Sequence, residues 1–225
     1  MIRTALWTAF LCATAGVQAQ SFTGTAYALD SDRVLYQERH ELTLEDGQPT
    51  VEQVRYVAPD GQLLAEKNMT YTELARPGYT LILNQPERTE RVEPDRTGVN
   101  VISRKEGRLD WPDQTAVIDA GFHYFILDNF DALESGTALD FQFLTPSRLS
   151  WIALSIEPET PQGDQLVLQL RPQSRVLRWL VDPIELTYSR SQQRLLQYRG
   201  LTNLPNGDEG NFKARIVYQY PETAP

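Results

Sequence analysis

The side chains of this 225-residue sequence that titrate near neutral pH are two histidines, His40 and His123. His123 stands four residues after Asp119 and five before Asp128, so Asp119 and His123 share one face if the segment is helical. A metal ion would need a third and a fourth ligand, and no further donor is marked by spacing. The reading is therefore a helix-surface histidine beside a capping aspartate. His40 lies in the polar run 36–41 and reads as exposed. Neighbouring acids, such as Asp128 with Asp131 or Glu157 with Glu159, lie along one element, whereas glycoside chemistry needs two carboxylates facing each other across a cleft. There is no G-x-S-x-G, G-x-G-x-x-G or G-x-x-x-x-G-K-[ST], so neither a serine nucleophile nor a nucleotide cradle has a local signature. No catalytic residue, metal or cofactor is assigned.

The elements that would carry these side chains read as β. Turn signals recur at short intervals: Asp46-Gly47, Pro59-Asp60-Gly61, Arg76-Pro77-Gly78, Glu106-Gly107, Gln162-Gly163 and Asn206-Gly207. Between them apolar residues alternate with polar ones. Leu139, Phe141 and Phe143 face one way, as do Leu166, Leu168 and Leu170, then Ile184, Leu186 and Tyr188, then Phe212, Ala214, Ile216, Tyr218 and Tyr220. Period two with one apolar face means a sheet buried on one side. The stretch 149–156 is apolar on both faces and reads as a strand with neighbours on either side. One segment breaks the rhythm. Phe122, Phe125, Ile126, Phe130 and Leu133 fall at helical spacing, which predicts a helix of roughly 14 residues within 119–135, with Asp119 as N-cap and Gly136 as stop. Residues 174–181 read as a helical turn or a strand. The expected fold is mainly β: a curved antiparallel sheet, half-barrel or barrel, with one helix on its concave face.

The N-terminus predicts the compartment. Arg3, the apolar stretch 5–17 and Val17-Gln18-Ala19 form the three parts of an export signal. Residues 1–19 are thus expected to be a cleaved leader and 20–225 a single β-rich domain, placed in the periplasm. Cys12 falls within the leader, so the mature chain has no thiol. The net charge of −9 argues against nucleic-acid binding, and no apolar run is long enough for a transmembrane helix. Charge is uneven, with acids dominating up to residue 164 and bases after it.

These patterns locate a candidate binding region. An acyl chain would lie between Phe122, Ile126 and Phe130 on the helix and Phe141, Phe143 and Trp151 on the strands. Its anionic head would meet Arg171, Arg175 and Arg178. The stretches Asp119-Ala120-Gly121-Phe122, Asn129-Phe130-Asp131-Ala132-Leu133, Phe141-Gln142-Phe143-Leu144-Thr145-Pro146 and 182–188 with 198–204 resemble a family of uncharacterised exported proteins of Gram-negative bacteria. The expected architecture is also similar to periplasmic half-barrels that escort lipoproteins or lipids, and that likeness carries no activity. The leading functional reading is a non-catalytic protein that binds a lipid, an acyl chain or an envelope partner. One alternative is an assembly factor that meets another protein through a sheet edge. The other is an enzyme whose site has no recognisable motif.

Overall fold

Asp46 and Gly47 both take positive φ (52° and 78°), the mirror-image turn that matches strand twist and joins β2 (Val34–Glu45) tightly to β3 (Gln48–Val57). Antiparallel hairpins, most with longer loops, build nearly all of the fold, a computed structural model that describes residues 16–84, 87–180, 182–207 and 210–221. Residues 1–15 of the expected leader lie outside the described residues. The first strand, β1 (Val17–Ala28), already includes the end of the expected leader, with Val17, Gln18 and Ala19 opposite Glu45, Leu44 and Thr43.

From β3 the chain meanders through β4 (Leu63–Thr70), β5 (Gly78–Asn84), β6 (Glu87–Pro94), β7 (Gly98–Ile102) and β8 (Glu106–Asp110). It then crosses to β9 (Ala116–Val117) and two short helices, α1 (Gly121–Asp128) and α2 (Phe130–Glu134). It returns through β10 (Leu139–Thr145), β11 (Ser150–Pro158) and β12 (Gln165–Pro172), a helical turn α3 (Arg175–Leu180), then β13 (Ile184–Ser189), β14 (Arg194–Pro205) and β15 (Asn211–Gln219). All fifteen strands form one sheet. Its order runs from β8 through β1, then from β15 to β9, because the first and last strands pair antiparallel at its middle. The sheet is strongly curved and does not close. The two-residue β9 pairs parallel with β10, a connection that needs a crossover, supplied here by α1 and α2. The expected mainly β, curved antiparallel sheet with helix on the concave side is what the structure shows.

Two apolar clusters fill the concavity. One gathers the inward residues of β1–β7, among them Ala26, Tyr36, Val54, Met69, Leu83 and Val101, with Ile118, Leu144 and Leu204. The other packs Phe125, Ile126, Phe130 and Leu133 of the helices on Phe141, Leu154, Ile156, Leu166, Leu168, Leu186 and Tyr188. The double apolar character of 149–156 now has its reason. Ile152, Leu154 and Ile156 pack on the helices, while Leu149 and Trp151 pack on the first cluster.

The helix differs from expectation in two respects. It is broken at Asn129, where φ is −117° and the side-chain amide donates to the Phe125 carbonyl at 2.8 Å, capturing the acceptor that a continuing helix would use. Asp119 does not cap it by its side chain. The residue sits at φ +43°, and the N-cap position belongs to Ala120. The stop at Gly136 stands, with φ +93°. Packing explains the glycine at 121 in the first helical turn, since a β-carbon there would lie 2.4 Å from the Ala75 carbonyl oxygen. Gly121→Ala is therefore expected to destabilise the fold by about 1–3 kcal/mol through this backbone collision. Chemical denaturation checks this, and an unchanged midpoint would show that 75–77 yields freely.

Candidate functional site

The phase of alternation decides what faces inward. In β2 the buried side takes Tyr36, Glu38, His40, Leu42 and Leu44, while Gln37, Arg39 and Glu41 are exposed. In β3 it takes Glu52, Val54 and Tyr56, and in β4 it takes Ala65, Lys67 and Met69. Polar residues in this phase are carried into the barrel with their apolar neighbours, and each needs a partner there.

His40 is the hub, and it is not exposed as its polar run suggested: its side chain is only 11% accessible. Its Nδ1 lies 2.8 Å from Glu52 and its Nε2 lies 3.2 Å from Glu38. Both nitrogens face carboxylates, so both donate, and the ring is an imidazolium. Burial alone would lower its pKa, but the hydrogen bonds and charges of Glu38 and Glu52 prevail and raise it to about 9. Glu52 also accepts from the Tyr71 hydroxyl at 2.6 Å, and Glu38 accepts from that of Tyr218 at 3.1 Å. Burial would push Glu52 up, yet the His40 hydrogen bond and charge hold it below its ordinary value. Gly24 makes room for this arrangement, since a β-carbon there would be 2.9 Å from Tyr218 and 3.1 Å from the Glu38 carboxylate. Phe22, opposite His40 across β1 and β2, stacks on the imidazolium at 4.2 Å, and Tyr220 stacks on Phe22 at 5.1 Å.

His123 has the reverse character. It lies under the sheet rather than on an open helix surface, with Nδ1 2.9 Å from the Tyr188 hydroxyl and the two rings stacked at 5.7 Å. Burial lowers its pKa to about 4, with Glu52 opposing only partly, so the ring is neutral at pH 7. Tyr124, its neighbour on α1, meets Tyr71 edge-on at 5.1 Å. A separate buried pair ties α1 to the sheet: Lys67 reaches both oxygens of Asp119 at 2.8 Å, and Asn203 donates to Asp119 at 3.2 Å.

An imidazolium held between two carboxylates has no lone pair to act as a base at neutral pH. Among the described residues no group of three His, Cys, Asp or Glu side chains is arranged to hold a metal ion. What the cluster supplies is a fixed charged wall. Beside it, where the end of β15 lies against the middle of β1 and β2, is an open depression of about 450 Å³ lined by Ser21, Phe22, Thr23, His40, Tyr220 and Pro221, with Arg39, Glu41 and Gln219 also bordering it.

The opposed histidines make a prediction for stability against pH. The raised His40 value stabilises the fold fully below the ordinary 6.5, and this contribution fades as pH climbs through about 9. The lowered His123 value stabilises above 6.5, and this contribution is lost as pH falls toward about 4. Urea unfolding is expected to show greatest stability near pH 6.5, falling on the alkaline side by about 1.4 kcal/mol per pH unit at most. His40→Gln should flatten the limb between pH 6.5 and about 9, and it should change the acid limb too, because Glu52 loses the charge that holds it below its ordinary value. An alkaline limb that persists in the variant would contradict the assignment.

The candidate binding residues are brought together in part. Phe122, Ile126, Phe130, Phe141 and Phe143 share the helix-side cluster, with Phe125 and Phe141 rings 5.3 Å apart. Ile126 and Phe141 are wholly covered and Phe130 nearly so. Trp151 is on the other face of its strand, with its ring 5.9 Å from that of Trp111. Arg178 pairs with Glu157 at 2.8 Å, Arg171 lies 3.7 Å from the same carboxylate, and Arg175 is exposed. The polar cluster at His40 was missed, although its signal was present: His40 has the parity of Tyr36, Leu42 and Leu44.

The architecture defines a class, a barrel-like single sheet, antiparallel but for β9, whose first and last long strands, β1 and β15, pair. No known family and no curated protein sequence matches the chain. Among solved structures it is similar to a beta-barrel-like protein of domain of unknown function DUF1849 from Brucella abortus. The TM-score is 0.52 at 8% identity, over 92% of this chain and 98% of that one. The likeness is one of fold, and it agrees with the resemblance to uncharacterised proteins of Gram-negative bacteria. Among the described residues no helix is long and apolar enough to cross a membrane.

Proposed function

We propose that the protein is a non-catalytic binding protein of the periplasm, taken there by the leader over residues 1–19. Its ligand is apolar: a lipid or acyl chain, or the apolar segment of an envelope partner. The observation that supports this is the open depression of about 450 Å³, where the stacked Phe22, His40 and Tyr220 rings and Pro221 supply apolar surface. Ligand sites are concave and largely apolar, with a few placed polar groups. An anionic head in this depression would meet Arg39 at its border and Arg194, whose guanidinium lies 5.1 Å from the Tyr220 ring. The binding position thus moves from the helix stripe, whose side chains already fill one another's space, to the depression where the end of β15 meets the middle of β1 and β2.

A fluorescent fatty acid titrated into the purified protein tests this. Binding at micromolar concentration is expected, weakened about tenfold by Phe22→Ala or Tyr220→Ala, which removes one stacking wall. Arg175→Glu, remote from the depression in the chain's ladder, should leave it unchanged. If no probe binds at micromolar concentration, a protein partner replaces the small ligand. N-terminal sequencing of the exported protein tests the compartment, with Gln20 expected first. An intact Met1 would overturn the leader.

A further inference from the structure

The sheet ends at β8 on one side and β9 on the other, and among the described residues no backbone ladder joins β8 to β10 or β11. The two ends nevertheless meet. Trp151 donates from Nε1 to the Asp110 carbonyl at 3.1 Å, and Lys105 donates to the Arg148 carbonyl at 3.4 Å. Leu149 wedges against Gly107, where a β-carbon would lie 2.6 Å from its Cδ2. Leu149 itself holds a left-handed conformation, φ 51° and ψ 58°, which a branched side chain adopts only under packing constraint. Each of these links runs through a side chain. The hairpin of β7 and β8 is attached to the remaining sheet by four paired residues, Val99–Ile102 opposite Arg91–Pro94, by Ser103 on Glu90, and by the chain over 111–115, a tether whose backbone is bonded to β10 only from Thr115 on. A closed barrel would have to break a ladder to open here, whereas this seam separates by releasing side chains alone.

We propose that the seam is a door. The β7–β8 hairpin swings away from the β10–β11 turn, with the rungs to β6 as its hinge, and exposes Val99, Val101 and Leu144 to an incoming apolar chain. This gives the interior an entrance, apart from the depression beside His40. Access by an apolar ligand rests on the binding reading above, but the opening itself does not, and it is measured with no ligand present.

Thiol labelling in a Cys12→Ser background reads the opening. Val101→Cys sits on the inner face of the door and Val54→Cys sits on β3, both at positions 1% exposed. Under native conditions the thiol at 101 is expected to react on the order of tenfold faster with a maleimide than the thiol at 54, since local openings are more frequent than global unfolding. Adding Leu149→Ala should speed position 101 again and leave position 54 as it was. The door is overturned if both thiols react at one rate. It is also overturned if Leu149→Ala speeds both together, or speeds neither. Failure of fatty-acid binding with fast labelling at 101 would count against the ligand and leave the door standing.

Discussion

His40→Ala is expected to lower stability by about 3–5 kcal/mol, because it strands two carboxylates that the imidazolium now neutralises. Glu38 and Glu52 are each 6% exposed, and their remaining partners, the Tyr218 and Tyr71 hydroxyls, supply hydrogen bonds but no charge. The stacking surface of Phe22 on the imidazolium goes as well. For a chain of this size each kcal/mol moves Tm by about 2–4 °C, so the loss is large in a thermal melt. Adding Glu52→Gln to His40→Ala should recover part of it, since one fewer charge is left buried. A double variant that melts below His40→Ala would show that the site is held by packing and not by charge balance.

The second large effect is expected at Lys67. This side chain is 2% exposed, and among the described residues its ammonium is held by Asp119 and by the Tyr79 ring at 5.2 Å. Lys67→Met keeps the volume and leaves the Asp119 carboxylate without its cation, with only the Asn203 amide and the Ala120 N–H to satisfy it. A fall of about 3–5 kcal/mol is expected for breaking such a pair. Replacing both partners, Lys67→Met with Asp119→Asn, should restore most of it. Asparagine also tolerates the φ of +43° at position 119. Denaturant midpoints of the two single variants and the double decide the matter. Equal losses in the single and the double would locate the cost in packing around the stem. Because Asp119 stands two residues before α1, the Lys67→Met variant should also loosen the entry to the helix, which amide exchange at 121–123 would register.

Local pattern determined much of this protein. Alternation in 139–143, 166–170, 184–188 and 212–220 placed strands and chose their apolar faces, because neighbouring side chains on a strand point to opposite sides whatever the strand pairs with, although in β13 Thr187 and Ser189 on the other face are buried as well. The helical stripe from Phe122 to Leu133 was equally legible, since its spacing is a property of one segment. The same parity could have shown His40, Glu52 and Lys67 facing inward, had it been given more weight than the polarity of their neighbours. Only the tertiary structure decided how these faces met. Pairing of β1 with β15 joins residues nearly two hundred positions apart, and nothing in either segment names the other. The same holds for the partners of charge: Lys67 meets Asp119 across 52 residues, and His123 meets Tyr188 across 65. Asn129 ends a helix that its apolar stripe would have continued, because its amide competes for a carbonyl only once the turn is in place. The open seam is the clearest case. Whether a curved sheet closes depends on accumulated twist and tilt over fifteen strands, and that sum belongs to no single one of them.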